Sequence, residues 1–305
     1  MHATVSDTPV ITSNYIDGVA RPAEAGRTYA LYNPARPDEL VGHAALSSAV
    51  DVDAAVLAAH AAYPAWSRTS YTERAAKLNE VADYLEAGQD DVDQRARLFC
   101  REHGKPIKET HLEVSRLGDR FRTTAAYADR LARDELEHGP PFDTIITRQP
   151  RGVATLIVPW NWPLSILGAK LPQALMAGNT VVVKPSELSV LAPSMTLQKI
   201  DEMFPPGVIN IVTGDANEIS DNLVGHPLVR FVNFTGSVRI GKHVMKVAAD
   251  QLTPVTLELS GNDPAIVCAD ARLDDKAFMN MYLGTFMSSG QILSLIHISE
   301  PTRPY

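Results

Sequence analysis

Short apolar runs alternate with helix-like segments along the second half of this sequence, and no other feature restricts the fold as strongly. The apolar runs lie at 153–158, 180–183, 208–212, 229–234, 255–259 and 265–268. The helix-like segments between most of them lie at 164–177, 193–203 and 237–249. Because short β-branched runs that alternate with helices form parallel sheets covered on both faces, we predict an α/β fold. Such sheets bind ligands at the carboxyl ends of their strands.

The first 135 residues show mostly helical periodicity after a short extended start. The first helix is predicted to end at Pro64, because proline interrupts a helical hydrogen-bond ladder. Ser70 and Glu73 predict a capping box at the start of a second helix, which Gly88 ends. One longer helix is predicted through Val114, Leu117, Phe121, Ala128 and Leu131. We interpret these apolar stripes as core packing.

Composition and charge exclude several classes of protein. The chain has 305 residues, of which 45% are hydrophobic and 21% charged, as in folded globular proteins. Its formal net charge of −8 favours no nucleic-acid partner, and no apolar run is long enough to cross a membrane. Two cysteines, Cys100 and Cys268, are too few for a disulfide scaffold, and no metal-ligand spacing occurs. Without an export signal, the expected location is cytoplasmic.

The glycines exclude the usual dinucleotide fingerprint, because no two of the 18 are spaced as Gly-x-Gly. The segment from Gly236 to His243 resembles the phosphate-binding loop of nucleoside triphosphatases. In that loop the pattern GxxxxGK is followed by Ser or Thr, whereas here it is followed by His243. His243 cannot hold Mg²⁺ through a hydroxyl as Ser or Thr would, which argues against that class. Two interpretations of this segment stay open. It is either a plain strand–turn–helix with no ligand, or the start of a helix near Ser237 whose free N–H groups face a phosphate.

The segment Lys184-Pro185-Ser186-Glu187 follows the second apolar run. Pro185 ends the strand, so that a lysine and a glutamate lie at the strand's carboxyl end, where they could hold ribose hydroxyls. The alternative is a solvated charged loop.

Two further strand ends carry groups suited to catalysis. Trp160-Asn161-Trp162 lies between two prolines in a stiff loop, so Asn161 is a candidate oxyanion donor. The alternative is an aromatic plug in which Asn161 makes a turn hydrogen bond. Glu258 lies between apolar neighbours in another run, and a buried carboxylate there would suit a general base. Glu258 could instead point to solvent from an exposed strand face.

Together these segments resemble the NAD(P)-dependent aldehyde dehydrogenase superfamily. The resemblance covers residues 14 to about 292, and its four motifs in order are highly specific. The motifs are Pro159-Trp-Asn-Trp-Pro163, Val183-Lys-Pro-Ser-Glu187, Phe234-Thr-Gly-Ser237 and Leu257-Glu-Leu-Ser-Gly261, preceded by the landmarks Tyr32-Asn-Pro34, Trp66-Ser67 and Gly104-Lys-Pro106.

The resemblance implies oxidation of an aldehyde to a carboxylic acid through a cysteine thiohemiacetal and thioester. Asn161 would donate to the oxyanion, and Glu258 would be the base. Lys184 and Glu187 would hold the adenosine ribose, which favours NAD over NADP because Glu187 repels a 2′-phosphate. The implied cofactor site comprises Trp160, Lys184, Ser186, Glu187, Thr235, Gly236, Ser237, Gly241 and Leu259.

The resemblance also implies a division of the chain. Residues 1–260 would form a Rossmann-like NAD-binding domain, with 137–152 as a projecting strand region used in homo-oligomers, and 261–292 would begin the catalytic domain. The nucleophilic cysteine of the family is expected where this chain has Leu293. We interpret 293–305 as a foreign tail joined to a truncated frame, and therefore expect this fragment to be inactive. The alternative is a non-catalytic nucleotide-binding protein that kept the cofactor fold.

Overall fold

A computed structural model describes residues 9–261 and 266–291 of the chain. The strands are β1 (Val10–Thr12), β2 (Asn14–Ile16), β3 (Val19–Arg21), β4 (Thr28–Asn33), β5 (Arg36–Ala45), β6 (Glu135–Gly139), β7 (Phe142–Ile146), β8 (Val153–Ile157), β9 (Thr180–Lys184), β10 (Ile209–Ile211), β11 (Val229–Gly236) and β12 (Val255–Leu259). The helices are α1 (Ala49–Trp66), α2 (Tyr71–Ala87), α3 (Gln89–His103), α4 (Ile107–Ser115), α5 (Leu117–Ala125), α6 (Ala128–Leu131), α7 (Pro163–Gly168), α8 (Leu171–Met176), α9 (Leu191–Asp201), α10 (Ala216–Val224), α11 (Val238–Ala249) and α12 (Asp275–Phe286).

The central sheet has the strand order β12-β11-β8-β9-β10-β2-β3. Strands β8 to β12 are parallel, whereas β2 and β3 join the β10 edge in antiparallel orientation. Strands β8 and β9 are buried along their whole length, as expected for the middle of a sheet with helices on both faces. The α/β fold with a Rossmann-like parallel sheet is therefore confirmed.

Each face of the sheet packs against its own set of helices. On one face, Val182 and Val232 lie in a buried cluster with side chains of α1, α10 and α11. On the other face, Val181 and Val183 lie in a larger buried cluster that includes side chains of α2, α3, α5, α8 and α9. Because side chains alternate between the two faces along a strand, neighbouring valines of β9 stabilise opposite layers.

Five of the six apolar runs form strands. Ser237 caps α11, as expected if a helix starts near this residue. The sixth prediction, a strand at 265–268, is wrong in its described part: residues 266–268 form no strand and Ile266 is 80% exposed. Apolar content alone predicted that strand, and no neighbouring strand pairs with it in the described chain. Residue 265 lies outside the described residues.

The predictions for the N-terminal half need three corrections. The extended start is longer than expected, because strands continue to Ala45 at the end of β5. Helix α1 continues past Pro64 and ends two residues later at Trp66, so the proline lies in its last turn and does not end it. The single long helix is instead α4, α5 and α6, since the backbone at Arg116 (φ −87°, ψ −2°) leaves helical geometry. The capping box of Ser70 and Glu73 is confirmed.

The segment from Glu135 to Ile146 forms the two-stranded antiparallel hairpin β6–β7. All residues of both strands are exposed, including Phe142 at 79% and Ile145 at 65%. The hairpin therefore contributes no buried residue to the core of the described chain. Its proposed part in oligomers stays a prediction.

Candidate functional site

A cleft of about 570 Å³ lies at the carboxyl ends of β8, β9 and β11, where the fold predicts a ligand site. Its far wall is formed by side chains of α10 and α11, among them Asn217, Asp221 and His243. The structure brings together at this cleft the predicted residues Trp160, Asn161, Lys184, Ser186, Glu187, Thr235, Gly236 and Ser237. Three further predicted residues, Gly241, Glu258 and Leu259, lie outside its lining.

Lys184 and Glu187 form a charged pair at one side of this cleft. Lys184 ends β9 and is 2% exposed, and its Nζ lies 3.4 Å from Glu187 Oε2. Burial lowers the pKa of the Lys184 amine, and the charge of Glu187 acts in the opposite direction. The Glu187 side chain is 40% exposed, so its carboxylate can meet a ligand that enters from solvent.

Glu102 binds the backbone that follows the Lys184–Glu187 pair in the sequence. Its two carboxylate oxygens accept hydrogen bonds from the N–H groups of Val190, Leu191 and Ala192 at 2.7–3.0 Å. Burial raises the pKa of Glu102 to about 7, against the lowering effect of these three bonds. The carboxylate thereby caps the start of α9 and holds the turn that follows Glu187. The sequence analysis missed this residue, because its partners lie 88 to 90 positions away.

At the end of β11 the chain turns directly into α11. Ser237 caps this helix, and its Oγ accepts a hydrogen bond from the Ile240 N–H at 3.3 Å. Thr235 is 2% exposed, and its Oγ1 has no hydrogen-bond partner within the described residues. A helix start combined with an unbonded buried hydroxyl provides donors for an anionic or hydroxyl-bearing ligand.

Gly236 and Gly241 keep this turn tight. A Cβ on Gly236 would lie 2.5 Å from Cζ of Phe234, and one on Gly241 would lie 2.4 Å from Cδ2 of Leu259. A Cβ at either position would force the facing Phe234 or Leu259 side chain to move, so glycine permits the close packing seen here. Gly241 and Leu259 therefore lie outside the cleft lining, and their contact packs α11 against β12.

The triphosphatase alternative finds no support at this turn. His243 lies in the cleft wall with its ring Nε2 2.7 Å from Asp221 Oδ1, a hydrogen bond that joins α11 to α10. Lys242 is exposed and does not line the cleft. The lysine that would contact phosphates in such a loop therefore points away from the site.

Asn161 lies at the inner end of the cleft and is 3% exposed. Its Nδ2 donates a hydrogen bond to the main-chain oxygen of Gln291 at 2.7 Å. This is the one hydrogen bond found for Nδ2 among the described residues, although an amide nitrogen has two hydrogens, and the buried Oδ1 has no partner there. Gln291 is the last described residue before position 293, so this donor lies beside the backbone that leads to the expected nucleophile. Leu293 itself lies outside the described residues.

A buried ion pair holds the loop of Asn161 in place. Lys105 Nζ lies 2.6 Å from Glu113 Oε2, and neither side chain is exposed. The same amine donates to the main-chain oxygen of Asn161 at 2.7 Å and lies 3.8 Å from the centre of the Trp162 ring. Burial lowers the pKa of Lys105 and raises that of Glu113, while the charge of each partner opposes the shift of the other.

Glu113 completes this support from the other side of the loop. Its Oε1 accepts hydrogen bonds from the N–H groups of Leu164 and Ser165, both at 2.9 Å, at the start of α7. One carboxylate therefore joins Lys105 to the helix that follows Asn161. Lys105 belongs to the landmark Gly104-Lys-Pro106, but its contact with the Asn161 loop was not predicted from the sequence. Glu113 was not predicted as a site residue at all.

Glu258 lies on the exposed side of β12, beside Thr235 of β11 in the strand register. The prediction that this run is buried is wrong for the described chain, because Thr256 and Glu258 are both exposed. No described element covers that side of the edge strand. The nearby Lys170 is 4% exposed and hydrogen bonds to Asn233. Burial lowers the pKa of Lys170 to about 8, and the charge of Glu258 acts in the opposite direction.

Other kinds of site find no support in the described residues. Residues 9–261 and 266–291 contain no group of three or more histidines, cysteines or acidic residues placed to hold a metal ion. In the same part of the chain, no helix combines the length and apolar character that a membrane crossing requires.

The fold and the cleft define an α/β protein with a Rossmann-like sheet and a ligand-sized cleft at the carboxyl ends of its strands. The profile of the aldehyde dehydrogenase family matches residues 21–296, and the chain belongs to this family. The resemblance inferred from the four motifs is thus confirmed.

Several characterised proteins are similar to this chain. It is 37% identical over 281 residues to the 3-sulfolactaldehyde dehydrogenase of Pseudomonas putida, covering 91% of this chain and 56% of that protein. It is 36% identical over 278 residues to the succinate-semialdehyde dehydrogenase [NADP(+)] of Escherichia coli (strain K12), covering 90% and 57%. The crystal structure of an NAD-dependent aldehyde dehydrogenase from Sinorhizobium meliloti superposes with a TM-score of 0.85 at 34% identity, covering 93% and 56%. The chain thus spans somewhat more than half the length of these relatives.

Proposed function

We propose that the complete protein is an NAD-dependent aldehyde dehydrogenase that oxidises an aldehyde to a carboxylic acid through a cysteine at position 293. The observation that carries this proposal is the position of the Asn161 amide. It lies where the cleft meets the backbone leading to position 293, and within the described residues only one of its two hydrogens is used, in the bond to Gln291. A rigid donor at that point suits the oxyanion that forms when a nucleophile attacks a carbonyl.

The proposal assigns roles to Asn161, to Glu258 outside the cleft lining, and to the pair that supports the Asn161 loop. The thiolate at position 293 attacks the aldehyde carbon, and Asn161 stabilises the resulting oxyanion. Glu258 accepts the proton of the thiol, releases it to solvent from its exposed position, and then accepts a proton from the water that hydrolyses the thioester. A nicotinamide cofactor held in the cleft would supply the hydride acceptor that oxidation of an aldehyde requires. Lys105 and Glu113 keep Asn161 in position throughout.

The cleft fits a dinucleotide in shape and in chemistry. The start of α11 offers free N–H groups to a pyrophosphate, and Lys184 and Glu187 offer a donor and an acceptor to ribose hydroxyls. Thr235 lines the same cleft, and its buried hydroxyl has no hydrogen-bond partner within the described residues. The exposed Glu187 carboxylate favours NAD, because a 2′-phosphate beside it would place two negative charges in contact.

We expect the 305-residue chain to bind NAD more tightly than NADP, and Glu187→Gln to reduce this preference about 3- to 10-fold, because the carboxylate is partly exposed and salt screens its repulsion. Isothermal calorimetry with both cofactors measures the ratio. Glu137→Gln removes an exposed carboxylate from the hairpin and is the matched control. Equal affinity of the unaltered chain for NAD and NADP would contradict the role of Glu187.

The chain as given has no thiol suited to this chemistry in its described part, so we propose that it is inactive. Burial raises the pKa of Cys100, which lies in α3, and Cys268 is exposed. Neither cysteine lines the cleft. The exposed β6–β7 hairpin is proposed as the oligomer contact of the complete protein, and the cytoplasmic location stays a prediction.

Formation of NADH from aldehyde by the complete enzyme tests the proposed function. A complete protein that binds NAD but forms no NADH from any aldehyde would favour the non-catalytic alternative. NADH formation that persists without a cysteine at position 293 would contradict the proposed chemistry.

A further inference from the structure

A second cavity of about 720 Å³ shares Asn161 with the cofactor cleft. Its walls come from α4 and α5 on one side and from the 161–166 segment on the other, and Met287 also lines it. Asn161 lines both this cavity and the cofactor cleft. A dinucleotide in the cleft and an aldehyde in the second cavity would therefore meet at the proposed oxyanion donor.

The second cavity is positively charged at its outer wall. Arg116 and Arg120 both line it, Arg116 as the residue that precedes α5 and Arg120 within α5. Both are exposed, and neither guanidinium forms an ion pair within residues 9–261 and 266–291. Arg122, only two positions further along, instead pairs with Asp83 and Glu86 on another side of the helix.

The acidic residues of this cavity do not cancel that charge. Two carboxylates line it, Glu113 and Asp119. Glu113 is already bound to the Lys105 amine and to two backbone N–H groups. Asp119 balances one arginine at most, so at least one guanidinium is available to an anion. The rest of the lining is largely apolar, with Leu112, Leu117, Trp162 and Ile166 among its members.

We propose, on the basis of the function proposed above, that the substrate is an aldehyde with an acid group at its far end. The aldehyde carbon lies at Asn161, the apolar walls contact the methylene groups between, and Arg116 and Arg120 bind the remote carboxylate or sulfonate. Guanidinium groups suit this role because they form paired, charge-assisted hydrogen bonds with such anions. The pair therefore determines specificity for anionic aldehydes.

The ratio of kcat/KM for succinate semialdehyde to kcat/KM for butanal, measured with the complete enzyme, tests this assignment. The two aldehydes have the same carbon chain and differ in the acid group. We expect the unaltered enzyme to prefer the acid, and Arg116→Gln or Arg120→Gln to lower the ratio about 10- to 100-fold, as for a lost hydrogen bond to a charged group. The loss should be largely in KM, and Arg116→Lys should restore part of it.

Arg130→Gln removes an exposed arginine of α6 and should leave the ratio unchanged. An unaltered enzyme that turns over both aldehydes equally well, or a ratio that neither cavity arginine changes, would overturn this assignment while leaving the proposed function intact. An enzyme that forms NADH from neither these two nor any other aldehyde would instead show that the proposed function has failed.

Discussion

Replacing Asn161 by alanine in the complete enzyme is expected to lower kcat by about 10²- to 10³-fold, because one preformed donor to the oxyanion is lost. The amide is buried, and the Lys105 and Glu113 contacts hold its loop, so no other group can take its place without a shift of the backbone. Steady-state rates of NADH formation at saturating aldehyde and NAD measure the effect.

Affinity for NAD and the melting temperature of this variant serve as internal controls. Both should change little, because the side chain lies at the end of the cofactor cleft. A kcat within about threefold of that of the unaltered enzyme would contradict the role of Asn161, since a lost oxyanion donor costs much more than that.

Lys105→Met should destabilise the 305-residue chain by about 3–5 kcal/mol, because it leaves the Glu113 carboxylate buried without its countercharge. It also removes the donor to the main-chain oxygen of Asn161. Urea unfolding followed by circular dichroism measures the change in the free energy of unfolding.

The double variant Lys105→Met/Glu113→Gln is the matched rescue. Glutamine keeps an oxygen acceptor for the Leu164 and Ser165 N–H groups but carries no charge, so most of the lost stability should return. A loss below about 1 kcal/mol for Lys105→Met would contradict the strong coupling inferred for this pair, because breaking a buried pair costs several times more.

The strands of the central sheet were predictable because each is a short buried run with turn residues at its ends. The run at 255–259 matches β12 in both bounds, and 180–183 differs from β9 by one residue. The strands β4 and β5 were missed because they belong to a separate sheet, in which β5 pairs with both β4 and β1, and the predicted pattern contained no such pairing. Helix α10 was missed because only three of its residues, Ile219, Leu223 and Val224, are buried.

The candidate site was predictable where the topology alone brings residues together. Parallel strands end at one edge of the sheet, so Asn161, Lys184 and Thr235 meet there although up to 74 positions separate them. The Lys105–Glu113 support was not predictable in this way, because Lys105 reaches a loop 56 positions further along. One signal was present: Glu113 lies four positions before the buried Leu117, so a charged residue lies on an apolar helical face.

Mass mapping of the acylated residue tests the central claim most directly. The complete enzyme is mixed with NAD and aldehyde, quenched in acid within the first turnovers, digested, and searched for a peptide that carries the acyl group. We predict a cysteine at position 293 that is acylated only when both NAD and aldehyde are present. NADH formation with that position unmodified, with another residue encoded there, or with the acyl group on Cys100 or Cys268 would contradict the account.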